Sequence, residues 1–393
     1  MTRNTHDIAV VGAGMVGAAL ALKLAREGFD VVVVEPRAPA PWSAADEVDL
    51  RVVALAPSSA RLFAELGIWS ELVAARVCAY QHMHVWDALV PGELNFNANE
   101  QGASALGWIV ENRAIQHVLW RSLQRDVNVT LHYPARVIAT DADAQRRTLT
   151  LDDGSVLSAR LVVAADGANS AMRGMLAIKT HERDYAQRAI VAHVTTQRPH
   201  EYTAWQRFVA GAVLAFLPLD DGRCSIVWSL PEAQANRILA LDDGQFCAEL
   251  GAAFDFRLGT ITATTSRAAF PLRMRSADRY LAPRFALLGD AAHVVHPLAG
   301  QGVNLGLRDA HELAATLTHA HEQKRNFAAD AVLRKYERRR RSDNTVSAHT
   351  FDAIQRIFAS NNMPVATLRG AALTIAERVG PIKRLLAGHA AGR

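Results

Sequence analysis

The sequence predicts an α/β chain: a parallel sheet with helices packed on it, an antiparallel sheet inserted partway along, and helices at the C-terminal end. Three stretches predict it. Asp7–Val11 is a short apolar strand that runs straight into Gly12-Ala13-Gly14-Met15-Val16-Gly17 and a helical pattern reaching about Arg26. Leu161–Ala165 is a second apolar strand, ending at Asp166-Gly167. Leu287-Leu288-Gly289-Asp290 is a third, followed by a glycine-rich loop and a helix from near Val303. Each puts an acid or a glycine at the corner where a strand's carboxyl end meets a helix, the place where open α/β sheets bind ligands.

The first element is the most specific. Gly12, Gly14 and Gly17 form G-x-G-x-x-G between a strand and a helix. Gly28 ends the helix, and the buried strand Val31–Val34 closes on Glu35. In that setting Gly12 allows the turn, Gly14 lets a pyrophosphate approach the backbone, and Gly17 lets helix and strand pack closely. The phosphates sit at the helix N-terminus, and Glu35 accepts hydrogen bonds from ribose hydroxyls. This is a Rossmann-like dinucleotide site, without a choice between NAD and FAD.

Asp49–Leu55 then leads into a helix near Ser58–Leu66. Arg51 has two readings: a contact to cofactor phosphates or ring, and a surface arginine paired with a carboxylate. The segment from Cys78 to Gln101 alternates around the turn Pro91-Gly92, as strands of a second sheet would. A helix opens at Glu111-Asn112-Arg113 with Ile115, Val118, Leu119 and Leu123 inward. Arg113 is either a phosphate ligand or a solvated first-turn charge. Val127–Tyr133, Ala135–Thr140 and Arg147–Leu151 read as strands, the last ending in an Asp152-Asp153-Gly154 turn. Asp166 either receives a hydroxyl or braces its own turn.

From about Ala186 to Pro271 the pattern becomes antiparallel: Ile190–Thr196, Trp205–Val209, Val213–Pro218, Cys224–Ser229 and Thr260–Phe270, with one helix near Asp243–Phe254. Beyond the third corner, helices run over Val303–Leu317 and from about Asp330 to His349. The second carries Arg338-Arg339-Arg340-Arg341, read as a solvated face. The tail, Pro364–Ala390, mixes apolar and basic residues around Gly380-Pro381. It fits a helix lying on a membrane surface, and equally one packed on its own domain or on a second copy in a homo-oligomer. The expected division is a discontinuous cofactor domain (1–75, 105–180, 272–345), a substrate-binding sheet domain (76–104, 181–271) and a C-terminal helical region (346–393).

Composition sets limits. A net charge of +4 over 393 residues is too diffuse to argue for nucleic acid. Cys78, Cys224 and Cys247 have no C-x-x-C spacing and read as buried thiols, not as a disulfide framework or a zinc site. His293 and His296 lack ligand spacing and read as hydrogen-bonded loop residues, so no metal is expected. No signal peptide and no bilayer-length apolar run is visible. The expectation is a cytoplasmic protein, with the inner face of the membrane as a peripheral contact.

The three corners, in this order, resemble the class A flavoprotein monooxygenases of para-hydroxybenzoate hydroxylase-like fold. The wording is narrower still. Gly289-Asp290-Ala291-Ala292-His293 with His296–Gly306, Asp49-Leu50-Arg51, Val110-Glu111-Asn112-Arg113, Phe216-Leu217-Pro218-Leu219 and Tyr336-Glu337-Arg338-Arg339 resemble the flavin hydroxylases of ubiquinone biosynthesis. The likeness runs nearly end to end, and Cys224–Leu230 and Phe254–Leu258 look most like the polyprenylphenol hydroxylases.

The resemblance implies non-covalent FAD, with NAD(P)H docking transiently as reductant, and O2 and a polyprenylated phenol as co-substrates. It puts Gly12, Gly14, Met15, Val16 and Gly17 at the pyrophosphate and Glu35 at the ribose. Arg51 and Arg113 face the cofactor, Val137 and Asp166 support the dinucleotide, and Gly289 and Asp290 hold the ribityl chain. Pro297, Gly300, Gly302, Val303 and Asn304 surround the flavin ring, with backbone amides from the last two. The flavin carries the hard chemistry, so no nucleophile–base pair is expected and no catalytic side chain is assigned. Three other readings stand: a class A enzyme for a small soluble aromatic acid, a flavin oxidase without oxygen insertion, and a non-catalytic assembly subunit that retains FAD.

Overall fold

The computed structural model describes residues 5–209, 211–295, 302–359 and 363–380, and positions 383 and 388. The strand Thr5–Val11 is central to an eight-stranded sheet, paired in parallel with Val31–Val34 on one side and Val156–Ala164 on the other. Val129–His132 and Phe285–Leu287 extend the parallel set outward. All four valines of Val31–Val34 are buried, as expected of a strand covered on both faces. The helix Met15–Arg26 packs between Asn112–Arg125 and Gly302–Glu322. It brings Leu20, Leu22 and Leu24 into a core shared with Leu161–Ala164 and Phe285–Leu288.

Because these strands run parallel, the carboxyl ends of Thr5–Val11, Val156–Ala164 and Phe285–Leu287 emerge on one edge. Gly12, Asp166 and Gly289 therefore meet there although they are far apart in sequence. Val16 marks the junction: a Cβ built on Gly289 would lie 3.2 Å from its Cγ1, and one on Gly306 2.6 Å from its Cγ2.

The second sheet has nine strands. Thr180–Thr196 is its long central member, flanked by Cys224–Pro231 and Ala268–Ala277. Ala212–Pro218, Thr203–Val209, His82–Asp87 and Glu93–Asn97 follow outward. Its outer face carries Ile190, Leu214, Phe216, Ile226 and Trp228, which form a separate core with Ile238, Phe246 and Leu250 of two short helices, Glu232–Leu239 and Asp243–Ala253. A small third sheet joins Val52–Leu55, Gly107–Glu111 and Val77–Tyr80.

Several elements differ from expectation. Val77–Tyr80 joins the small sheet, while the two strands after it join the large one. Alternation alone cannot tell which neighbour a strand will choose. The helix Glu232–Leu239 was not expected; its eight residues opening on Pro231 give too few turns for a clear period. Thr260–Phe270 is two strands, Ile261–Thr264 and Ala268–Ala277. The arginine run does not simply face water: Arg340 is buried. The helix that carries it continues to Ala359, and the tail helix spans Met363–Arg378.

Candidate functional site

At the glycine loop, crowding explains two of the three glycines. Gly12 has φ +99°, and a Cβ there would sit 2.5 Å from the Ala165 carbonyl oxygen; a Cβ on Gly17 would sit 2.1 Å from the Gly12 carbonyl oxygen. Gly14 is different: nothing lies within 4 Å of its missing Cβ, so this side of the turn is open for a ligand. Met15 and Val16 begin the helix at that opening. The Glu35 carboxylate accepts the Ala13 amide at 2.6 Å and the Arg37 amide at 3.2 Å. It holds the loop and keeps lone pairs for a further donor.

At the second corner, Asp166 Oδ2 accepts the Met172 amide at 3.1 Å. Its Oδ1 is shielded from solvent with no partner among the described residues. Arg173 ties this corner to the third. Its guanidinium donates to the Ala168 carbonyl at 2.7 Å and to the Ala291 carbonyl at 2.8 Å. The sequence reading places Arg173 at the end of the Asp166-Gly167 motif without assigning it a role.

At the third corner Asp290 is exposed, yet desolvation pushes its carboxyl above the usual range, with His293 and Arg51 pulling the other way. Behind it lies a buried ionic cluster. Asp309 Oδ2 accepts the Gly289 amide at 3.3 Å and His293 Nε2 at 2.5 Å. Asp309 Oδ1 accepts Arg340 Nε at 2.6 Å and Asn344 Nδ2 at 3.1 Å. Burial alone would raise Asp309, but His293 and Arg340 hold it down to about 2. His293 is thus a hydrogen-bonded residue, as expected.

Gly302 and Val303 open the helix Gly302–Glu322, and Asn304 follows fully buried. The Asn304 side chain is wholly occupied. It donates to the Ala54 carbonyl (2.8 Å) and accepts the Ala56 amide (2.9 Å) and the Ser59 hydroxyl (2.7 Å). The helix start adds the first-turn backbone amides, which have no partner within the helix. Pro297 and Gly300, with His296, lie outside the described residues. Val137 is buried in a strand edge against Leu151.

The two arginines sit differently. Arg113 is half-buried; it donates to the Pro41 carbonyl at 2.6 Å, and its Nε has no partner among the described residues. Arg51 is exposed, within electrostatic reach of Asp290, and its guanidinium lies 5.6 Å from the centre of the Phe270 ring. Phe270 belongs to the large sheet, so Arg51 stands where the cofactor corners meet the inserted sheet.

The inner face of that sheet can be read by register, since alternate residues share a face. Ala268, Val191, Val227, Ala215 and Gln206 are successive cross-strand neighbours, as are Phe270, Ala189, Ser229, Val213 and Phe208. One end of the face is covered by the small sheet, where Leu217, Leu219 and Ala204 pack on Ala54 and Cys78. Another is covered by the C-terminal helix, whose Leu373 and Ala376 pack on Val85 and Phe208. Between them Val191, Val213, Val227 and Ala268 stay half-exposed, and Phe270 is 41% exposed. This apolar inner face reaches Arg51 through Phe270.

The comparisons with known proteins agree with this layout. Residues 5–351 match the family described as FAD binding domain. The chain is 38% identical over 392 residues to the 3-demethoxyubiquinol 3-hydroxylase of Escherichia coli, covering 100% of both chains. It is 30% identical over 440 residues to the human mitochondrial ubiquinone biosynthesis monooxygenase COQ6, covering 99% of this chain and 93% of that one. Among solved structures, the probable FAD-dependent monooxygenase pqsL of Pseudomonas aeruginosa superposes with a TM-score of 0.79 at 25% identity, over 94% of this chain and 99% of that one.

The chain belongs to the FAD-dependent monooxygenase family.

The residues fit FAD on the structure's own terms. Among the described residues Asp166 Oδ1 is a shielded acceptor without a donor, Gly14 leaves space where a pyrophosphate would approach, and the helix that opens at Gly302 has first-turn amides with no partner inside the helix. The motifs shared with the ubiquinone hydroxylases also gain physical reasons. Asp49-Leu50-Arg51 and Val110–Arg113 are stitched together: Glu111 accepts the Asp49 amide at 2.7 Å, and Asn112 donates to the Arg51 carbonyl at 2.9 Å. Arg76 neutralises the buried Glu111 at 3.0 Å. His193 Nε2 donates to the Asp49 carbonyl at 3.1 Å, tying Arg51's loop to the large sheet. Tyr336 donates to the Leu287 carbonyl, and Glu337 accepts the Tyr280 amide. In this monooxygenase these side chains position the loops around the cofactor and leave its ring to do the chemistry.

Proposed function

We propose that this chain hydroxylates the ring of a polyprenylated phenol in ubiquinone biosynthesis, with FAD as bound cofactor, NAD(P)H as transient reductant and O2 as oxygen source. The observation that carries the reading is the apolar inner face of the large sheet, joined through Phe270 and Arg51 to the Asp290 corner. The named activities of the Escherichia coli and human relatives support it. When bound, FAD supplies the activated oxygen and accepts the hydride.

The protein's own residues do the rest. Gly12, Gly14, Met15, Val16 and Gly17 receive the pyrophosphate, Glu35 the ribose, and Asp166 a hydroxyl at its free Oδ1. Val137 and Arg113 flank the dinucleotide. Gly289 and Asp290 hold the ribityl chain, and Gly302, Val303 and Asn304 present backbone amides to the ring's electron-rich edge. Pro297 and Gly300 belong to the same loop by resemblance. Val191, Val213, Val227 and Phe270 exclude water and orient an aromatic ring, and the tail leaves along the apolar face. In this reading the parallel sheet is the cofactor part and the large sheet the substrate part.

The test is chemical. Purified protein with FAD, NAD(P)H and a polyprenylphenol should yield a product heavier by one oxygen atom on mass spectrometry. A strain lacking the gene should accumulate the unhydroxylated quinone precursor. Stoichiometric peroxide release with no oxygenated product would replace the hydroxylase reading with an oxidase.

A further inference from the structure

We infer that the groove between the helices Pro57–Glu65 and Gly302–Glu322 binds a phosphate-bearing anion, at a site separate from the cofactor corners. The groove encloses about 300 Å³ of accessible space (310 Å³) and is lined by Ser58, Arg61, Arg308 and His311, with Arg340 behind. That is more than a lone inorganic ion needs and enough for a phosphate ester with part of its alcohol.

Charge inventory gives the sign of the ligand. The two acids on the groove are already matched from outside it: Glu65 pairs with Lys23 at 3.1 Å and Glu312 with Arg339 at 2.6 Å. Arg340 is matched by Asp309 and Asp343, both at 2.6 Å. Arg308 has only a share of Asp343, at 3.9 Å. Arg61 has no ion-pair partner among the described residues. Two guanidinium groups therefore face one groove with less than one carboxylate between them.

Hydrogen bonding gives the same answer independently. Ser58 Oγ and Arg308 Nε are shielded from solvent and have no partner among the described residues. Shielded donors left unmade are costly, and both are on residues lining this one groove. Guanidinium donors and a hydroxyl are the set that recognises phosphate oxygens. The groove also adjoins the cofactor supports. Leu307 and Arg308 lie one helical turn beyond Val303 and Asn304, and Ser59 holds Asn304 directly.

The phosphate can come from the 2′-phosphate of NADPH or from an anionic lipid headgroup, and the experiment separates them. Pyrophosphate is titrated calorimetrically into the FAD-loaded protein, into Arg61→Gln, and into Arg61→Gln/Arg308→Gln. Arg61 is exposed, so the single variant keeps the test alive if the double variant unfolds. Binding to the wild type that weakens by roughly tenfold in the single variant supports the site. A KM for NADPH that rises in Arg61→Gln with KM for NADH unchanged identifies the nucleotide as source. Loss of co-sedimentation with phosphatidylglycerol vesicles identifies the lipid. No pyrophosphate binding by the wild type, or binding unchanged in a folded, yellow Arg61→Gln, overturns the inference. Neither result bears on whether the enzyme hydroxylates a phenol.

Discussion

Val16 of the helix Met15–Arg26 and Gly306 of the helix Gly302–Glu322 are in direct contact, with room for no Cβ between them: one built on Gly306 would lie 2.6 Å from Val16 Cγ2. The glycine loop and the helix Gly302–Glu322 are thus set at one distance by a side chain and its absence.

Gly306→Ala should therefore separate the two helices. The β-branched Val16 cannot swing away, so a loss of about 1–3 kcal/mol is expected from overpacking. Val16→Ala should restore most of it in the double variant. Gly14→Ala is the contrast: its Cβ meets nothing in the protein, so stability should hold while FAD affinity falls. Urea denaturation and flavin titration of the four variants check this; additive effects of Val16→Ala and Gly306→Ala would contradict the contact.

The Asp309 cluster gives a pH-dependent prediction. Asp309→Asn takes one of its two carboxylates from the buried Arg340, leaving Asp343 at 2.6 Å, and strips His293 of its ionic partner, a change expected to cost about 3 kcal/mol. The sign follows from the depressed carboxyl, 3.8 ordinarily and about 2 here. A lowered folded value means that stability is present above 3.8 and is lost as pH falls toward 2. The gap between wild type and Asp309→Asn should shrink as pH falls below 4 toward 2. A gap independent of pH in acid would show that the carboxylate's charge is not the source.

Much of this was legible in sequence because the three corners are local: a strand, an acid or glycine, and a helix follow one another directly. The parallel strands, the inserted antiparallel sheet and the helix after Gly302 follow from runs of apolar residues and their period. What was not legible is pairing across long separations. Nothing near Arg340 announces that Asp309, 31 residues away, lies beside it, so a run of four arginines reads as solvent-facing. The same holds for Arg173 and the Ala291 carbonyl, 118 residues apart, and for Val77–Tyr80, whose sheet is chosen by its tertiary neighbours. Asn304 was expected to offer its backbone amide to the ring; what the sequence did not announce is that its side chain is a staple to Ala54, Ala56 and Ser59.

Asp87 and Arg369 predict how the C-terminal helix is held. Their side chains are 1% and 2% exposed and meet at 2.7 Å and 3.0 Å. Removing either partner leaves a buried charge, so Asp87→Ala or Arg369→Ala should cost about 3–5 kcal/mol, while Asp87→Leu with Arg369→Met should recover most of it. The readout is the chemical denaturation midpoint. If both single variants match wild type, the pair does not anchor that helix.

Asp290→Ala should yield folded protein with little flavin. The side chain is exposed and makes no hydrogen bond among the described residues, so its removal costs the fold little. Retention of full flavin absorbance after purification, with wild-type thermal stability, would remove Asp290 from the ribityl site.

Val227→Trp tests the apolar inner face itself. Val227 is half-exposed on the inner face, between Val191 and Ala215 in register, so an indole there occupies space meant for a substrate ring. Because the position is open, the fold and flavin content should survive. KM for a polyprenylphenol should rise by roughly tenfold or more, the loss expected when about 1.4 kcal/mol of binding is removed. Reduction by NAD(P)H without substrate should be unchanged. Val127→Trp, at a 96% exposed position on the parallel-sheet side, is the control and should behave as wild type. Equal kcat/KM in the two variants would place the phenol somewhere other than the inner face of the large sheet.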